Sequence, residues 1–262
     1  MLLISLAIRE KILKKKEQNM LEVNNLQKTF GKRKALRGLS FQLEKGEIYG
    51  LLGPNGAGKT TALKILAGLL LFDSGEIRIK GENYDRTKLE LKRAIAYVPD
   101  QPFVYEKLTG EEHLHFYADL YKIPGSKRAE KFDFFFKFFE FESYRHELVE
   151  SYSAGTRQKL LISQALLVEP EIMLLDEPLT SIDPLVARKF RNYIKEIAKK
   201  GTTMIFATHI LSLAQEVSSR IGVIIDGRVI TEGSLKELLA ISAGKNLEDF
   251  YFDTVMEYEK SI

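Results

Sequence analysis

The sequence predicts an α/β fold: a mostly parallel core sheet, an antiparallel β subdomain and an inserted α-helical subdomain. Three observations lead there. A glycine-rich stretch, Gly53-Pro54-Asn55-Gly56-Ala57-Gly58-Lys59-Thr60-Thr61, lies between the apolar run Ile48–Leu52 and a helix-forming run over residues 62–67. Strand-like and helix-like segments alternate downstream, and residues 202–207 are near-continuously apolar, as in strands covered on both faces. Residues 100–168 break the alternation with helix-like segments and no strand pattern.

Apolar and polar residues alternate over 21–26 and again over 39–43, two strand patterns separated by Phe30-Gly31 and the basic turn Lys32-Arg33-Lys34. Lys45-Gly46-Glu47 turns into the strand that precedes the glycine-rich loop. A short alternating strand spans 74–81, a helix 89–93, and a buried strand over 94–98 is stopped by Pro99. Helices are expected over 110–121, 126–141 and 156–168, the first two separated by Pro124-Gly125. Strands return over 172–176, 202–207, 221–225 and 228–231, the last two joined by the hairpin turn Asp226-Gly227. Helices follow over 184–200, closed by Gly201, and over 235–240 and 247–260. One domain over 20–240 with a helical tail over 241–262 accounts for the pattern.

Composition narrows the function. With 45% hydrophobic and 29% charged residues over 262 positions, the chain has the balance of a soluble globular protein. Its formal charge of +3 supplies no field that would call for nucleic acid. Zero cysteines exclude disulfides, thiolate metal sites and cysteine nucleophiles, and suit a reducing cytoplasm. No run approaches the roughly eighteen apolar residues of a membrane span, so work at a membrane requires another chain to supply it. Residues 1–19 place an apolar run before a basic one, the reverse of a secretory signal. They read as a leader or an early start outside the fold, with an amphipathic membrane anchor as the alternative.

A strand, a glycine-rich turn and a helix form the setting that a phosphate-binding loop requires. Gly53, Pro54, Asn55, Gly56, Ala57 and Gly58 would turn backbone N–H groups toward an anion at the N-terminus of the next helix. Lys59 would reach the β- and γ-phosphates, the Thr60 hydroxyl would ligate Mg²⁺, and Thr61 is a further nucleotide-binding candidate. The run Ile172–Asp176, followed by Glu177, delivers two carboxylates at the C-terminal end of a buried strand. Asp176 would hold Mg²⁺ through water, and Glu177 would serve as base or orienter of the attacking water. Ser153 and Gly155 open a helix whose free N–H groups bind anions.

Tyr152-Ser153-Ala154-Gly155-Thr156-Arg157-Gln158-Lys159 resembles the signature motif of ATP-binding-cassette (ABC) ATPases. The run from Glu177 to Pro184 resembles their D-loop, and Thr208-His209 their switch histidine. The resemblance covers about residues 20–234, with every motif in family order. It implies a P-loop NTPase (RecA-like) core, ATP and Mg²⁺ as ligands, and ATP hydrolysis. It also implies a head-to-tail ATPase homodimer or heterodimer in which Ser153, Gly155 and Thr156 close on the partner's nucleotide. Phe30 takes the place of the tyrosine that stacks on adenine, a mild change because stacking uses the ring face. His209 would contact the γ-phosphate and hold the water. The family's γ-phosphate sensor glutamine follows Val-Pro directly, where this chain has Asp100 and then Gln101. Either could sense the γ-phosphate and Mg²⁺, and Gln101 is favoured. Ala154 and Thr156 replace the commonest Gly and Gln of the signature, while Ser153 and Gly155 are intact.

The implied role is the ATP-binding, ATP-hydrolysing subunit of an ABC membrane transporter. It would be peripheral on the cytoplasmic face of the cell membrane and bound to a membrane-spanning subunit on a separate chain. The motifs look most like stand-alone ATPases of exporters, including the Ecs type. A soluble ABC-type ATPase of translation or DNA repair is the alternative. Those typically carry two cassettes or a long coiled-coil insertion, for which the 117 positions from Lys59 to Asp176 leave little room. A phosphate-loop GTPase or kinase lacks support, since no Asn-Lys-x-Asp guanine reader is present.

Phenylalanines crowd residues 132–141. At helical spacing Phe132, Phe135, Phe136 and Phe139 form one stripe for the core, and Phe134, Phe138 and Phe141 a second, expected to contact a membrane subunit. His113, His115 and His146 fit no ligand spacing.

Overall fold

The computed structural model describes residues 19–85, 87–241 and 246–260. Of the extension expected over 1–19, all but Asn19 lies outside them. Asn19 is buried and opens the first strand, one residue earlier than the sequence pattern suggests.

A four-stranded antiparallel sheet has the order β2 (Arg33–Glu44), β1 (Asn19–Phe30), β4 (Ser74–Ile79), β5 (Glu82–Asn83). Its apolar face comes from the period-2 pattern: Leu21 pairs with Leu43 and Ile79, and Val23 with Phe41 and Ile77. β1 and β2 run well past the alternating segments. Beyond Leu26 their pairs are mostly polar and interrupted by bulges, so backbone ladder bonds extend the hairpin where side-chain burial leaves no signal.

The six-stranded sheet has the order β10 (Arg228–Gly233), β9 (Arg220–Ile225), β3 (Ile48–Leu52), β8 (Thr203–Thr208), β7 (Ile172–Asp176), β6 (Ile95–Val98). All neighbours are parallel except β10, which returns antiparallel on β9. Every residue of β3, β7 and β8 is buried, which explains their uninterrupted apolar runs. Because β3, β7 and β8 are parallel neighbours, their C-terminal ends share one edge. That edge is where α/β sheets carry their chemistry.

α1 (Lys59–Leu66) lays Ala62, Leu63 and Leu66 against Leu174 and Ile205. α6 (Pro184–Lys199) buries Phe190 and Ile194 in the cluster that holds Met173 and Phe206. The short α2 (Leu89–Arg93) precedes β6, and α7 (Leu211–Val217) follows β8. α8 (Leu235–Ile241) and α9 (Leu247–Lys260) close the described chain, with Leu238, Leu247 and Phe250 packed among Leu52 and Val223.

The inserted block holds α3 (Gly110–Leu120), α4 (Gly125–Phe138) and α5 (Ala154–Leu167). A capping box starts α3: Glu112 N–H donates to Thr109 Oγ1 at 3.2 Å, and Thr109 N–H to Glu112 Oε2 at 2.8 Å. α4 ends three residues before the sequence pattern, and Glu140 just beyond it adopts a left-handed φ of 56°. The chain then turns back and buries Phe141 against Phe136, with ring centroids 4.6 Å apart. Phe141 therefore joins the buried stripe of Phe132, Phe135, Phe136 and Phe139, and the expected second stripe is reduced. Phe134 and Phe138 stack on each other and pack at a tilt against Tyr193 of α6, with Phe134 still 41% exposed. Each fully buried phenylalanine contributes about 1.5–3 kcal/mol of apolar burial, so this block is held chiefly by its aromatics.

Candidate active site

The glycine-rich loop joins β3 to α1 at the shared strand edge. Gly58 caps α1 with φ 109°, and a Cβ there would stand 2.7 Å from the Ala35 carbonyl oxygen. A side chain at Gly53 would meet the Ile224 carbonyl oxygen at 2.3 Å. Gly227 N–H donates to the Ala57 carbonyl at 2.8 Å, and Arg37 N–H to the Gly227 carbonyl at 3.0 Å. The hairpin turn thus ties the loop to both sheets.

Lys59 is 6% exposed and donates to the Gly53 and Pro54 carbonyls at 2.7 and 3.2 Å. Its Nζ lies 3.9 Å from Glu177 Oε1. Burial pulls its pKa down, and the carboxylates of Glu177 and Asp176 oppose that pull.

Asp176 ends β7 fully buried. Burial raises its carboxyl above the usual range, and the nearby charge of Asp100 adds to this. The Thr60 hydroxyl counters in part. Tyr97 donates its hydroxyl to Asp176 Oδ2 at 3.3 Å, while Oδ1 has no hydrogen-bond partner. The Tyr97 phenol is itself pushed far above its usual range by burial and by Asp176.

Glu177 follows with φ 46°, a conformation non-glycine residues rarely adopt. Three donors converge on its carboxylate: Thr208 Oγ1 on Oε2 at 3.0 Å, and His209 N–H and Nδ1 on Oε1 at 2.9 and 2.7 Å. A carboxylate only accepts, so His209 Nδ1 carries the proton. The strained backbone and triple anchoring point one carboxylate into the cleft beside Lys59.

That cleft holds about 420 Å³ and is lined by Phe30, Asn55, Gly56, Gly58, Lys59, Thr60, Thr61, Asp100, Asp176 and Glu177. Arg33 and Ala35 line it too, and neither stood out in the sequence. Arg33 donates to the Gly56 carbonyl at 3.3 Å, and its signal was the basic turn just after Phe30. Asp100 faces the cleft whereas Gln101 does not. Gln101 is exposed, with its N–H bound to Asp100 Oδ1 at 2.8 Å.

Ser153, Gly155 and Thr156 stand away from this cleft. Ser153 caps α5, accepting from Thr156 N–H at 3.2 Å, and its hydroxyl is 2.9 Å from that of the buried Thr156. Gly155 lies so close to the turn after β7 that a Cβ would be 2.3 Å from the Ser181 carbonyl oxygen. One turn on, Lys159 pairs with Asp183 at 2.9 Å and Gln158 donates to the Pro99 carbonyl at 3.3 Å. α5 therefore grips both the loop after β7 and the loop carrying Asp100.

The donor set fits a hard divalent cation. Asp176 offers a buried oxygen without a partner, and the Thr60 hydroxyl stands beside it. Among the described residues no group of three or more His, Asp or Glu could hold a metal alone. Such an ion would take the rest of its shell from phosphate oxygens and water.

A family model described as ABC transporter matches residues 36–180. The uncharacterized ABC transporter ATP-binding protein YdbJ of Bacillus subtilis (strain 168) is 37% identical over 218 residues, covering 83% of this chain and 70% of that protein. The linearmycin resistance ATP-binding protein LnrL of the same organism is 31% identical over 228 residues, covering 87% and 73%. A solved ATP-binding subunit of an ABC transporter superposes with a TM-score of 0.84 at 30% identity, over 90% of this chain and 99% of that one. A dimeric ATP-binding cassette in a post-hydrolysis state, bound to ADP and Pi, gives a TM-score of 0.74 at 26% identity, over 82% and 98%. On the family match, these identities and these superpositions, the chain belongs to the ABC transporter family as an ATP-binding, ATP-hydrolysing subunit.

Proposed function

We propose that this subunit hydrolyses ATP at a site completed by a second cassette, and that closure and opening of the pair drive a separate membrane-spanning subunit. The observation that carries the reading is the split of the machinery. The carboxylates and loop share one cleft, while the anion-binding start of α5 points elsewhere in the same chain.

Phe30, 47% exposed at the cleft mouth, offers a ring face to adenine. The loop N–H groups, Lys59 and Arg33 hold the phosphates. Thr60, Asp176 and Asp100 would hold Mg²⁺, which supplies neutralisation of charge on the β- and γ-phosphates. Asp100 takes the sensor position here because it lines the cleft and feels Asp176; Gln101 is the second candidate. Glu177 orients a water for in-line attack and takes its proton as the new P–O bond forms and the bond to ADP breaks. His209 holds Glu177 through Nδ1, and Nε2 donates to a γ-phosphate oxygen when the ring is doubly protonated. Ser153 and Gly155 of the second cassette close over the γ-phosphate.

Among the described residues no helix is long and apolar enough to cross a membrane. A groove of about 340 Å³ lies between the end of α1, β6, α3 and α5, walled by Leu69, Tyr97, Tyr117, Tyr121, Gln164 and Val168. Leu69, Phe116 and Leu120 on its flanking elements are exposed at 67%, 42% and 56%. This face suits an apolar cytoplasmic segment of the membrane subunit, which supports a position on the inner face of the membrane. Export is the direction supported by the motif resemblance and by the resistance role in LnrL's name. The test is a Leu69→Cys variant, unique because the chain has no cysteine. Cross-linking to a co-expressed membrane subunit is expected, and a variant that never cross-links in the assembled complex contradicts the docking face.

A further inference from the structure

One side chain of the groove reaches a residue that lines the cleft. The Tyr97 ring is part of the groove wall, and its hydroxyl donates to Asp176 Oδ2 at 3.3 Å. The other Asp176 oxygen has no hydrogen-bond partner, so among the described residues Tyr97 supplies the hydrogen bond that this carboxylate accepts. We propose that Tyr97 is a positioning residue that carries occupancy of the groove to the metal-holding carboxylate Asp176. This deepens the function proposed above and rests on its reading of the groove as a docking face.

The geometry suits such a role. β6 is four residues long and is an edge strand of its sheet, so it is paired on one side, to β7. Tyr97 sits opposite Leu174, two residues before Asp176 on that strand. Its ring packs against the same buried cluster as Ala67 and Leu70, which follow the helix that starts from the glycine-rich loop. A bond of 3.3 Å is near the outer limit for O–H···O, so a shift of a few tenths of an ångström makes or breaks it. An occupant pressing on Tyr117, Tyr121 or Val168 presses on the same wall. Pro99, one residue beyond β6, holds the same strand end to α5 through Gln158. A push on the ring thus moves the hydroxyl against a braced backbone.

Two substitutions test the link by metal and nucleotide binding. Tyr97→Phe keeps the ring and removes the hydroxyl. The half-saturating Mg²⁺ concentration for tight ATP binding is expected to rise about fivefold, the equivalent of one hydrogen bond. Affinity for ATP in chelator should stay within about twofold, which also shows that the variant folds. Lys92→Cys places a unique thiol on the groove wall, and a bulky maleimide then fills the groove in place of a partner. The label is expected to shift the Mg²⁺ requirement when Tyr97 is present and to have no further effect with Tyr97→Phe. An unchanged Mg²⁺ requirement in Tyr97→Phe, or a label effect of equal size in both backgrounds, overturns the proposal. Because the maleimide stands in for any occupant, that failure leaves the docking face to be judged by the Leu69→Cys cross-link.

Discussion

Replacing Glu177 with glutamine separates chemistry from architecture. The carboxylate accepts two hydrogen bonds on Oε1, from His209 N–H at 2.9 Å and Nδ1 at 2.7 Å, and one on Oε2, from Thr208 at 3.0 Å. In Glu177→Gln the carbonyl oxygen stays where two donors converge, and the amide nitrogen faces the Thr208 hydroxyl. That hydroxyl already accepts from Ile210 N–H at 3.1 Å and can rotate its proton away. The structural cost is therefore about one hydrogen bond, roughly 1 kcal/mol. The chemical cost is larger, because an amide cannot take a proton. Loss of a general base lowers the rate by about 10²–10⁴, or roughly 3–5 kcal/mol. ATP affinity should stay within about fivefold while single-turnover phosphate release falls at least about 100-fold. A single-turnover rate within about threefold of the unaltered chain would refute Glu177 as the base.

Other substitutions give equally direct outcomes. Lys59→Ala removes the buried cation of the loop and should weaken ATP binding about 100-fold, given about 1.5–3 kcal/mol for a hydrogen bond to a charged group; unchanged affinity counts against the phosphate-loop assignment. Asp176→Asn should stabilise the fold. A carboxyl whose pKa is raised in the fold adds stability only below its unfolded value and loses it as pH rises through the folded value, so at neutral pH the buried charge is a cost. A Tm increase of roughly 2–4 °C, together with loss of Mg²⁺ dependence, is expected by thermal melting and ATP titration. Gly155→Ala places a Cβ 2.3 Å from the Ser181 carbonyl oxygen, and should lower turnover with little change in ATP affinity of the isolated chain. Phe136→Ala opens a fully buried aromatic position and should cost about 3–5 kcal/mol in denaturant unfolding.

The sequence was most legible where one residue type answers to one physical demand. Buried parallel strands are apolar almost throughout, so β3 and β7 stood out at their observed bounds, and the two carboxylates at the end of β7 stood out by contrast. Strained turns need glycine, so the phosphate loop was plain. What stayed hidden depended on long-range pairing. The polar extension of β1 and β2 is held by backbone bonds that have no side-chain pattern. Phe141 escapes its helical stripe because the left-handed Glu140 reverses the chain, which composition does not encode. Asp100 and Gln101 are adjacent and both polar, and it took the course of the chain after Pro99 to place Asp100 in the cleft. Tyr97 read as part of a buried strand, and its contact with Asp176 follows from the pairing of β6 with β7.

The central claim is that each chain holds half of two sites. The absence of cysteine allows it to be tested by placing Asn55→Cys in one sample and Ser153→Cys in another, both carrying Glu177→Gln to slow turnover. Mixed with a short thiol cross-linker, the two are expected to form a 55–153 intermolecular product that depends on ATP and Mg²⁺. Nucleotide bound to chains that yield no such product would contradict the account.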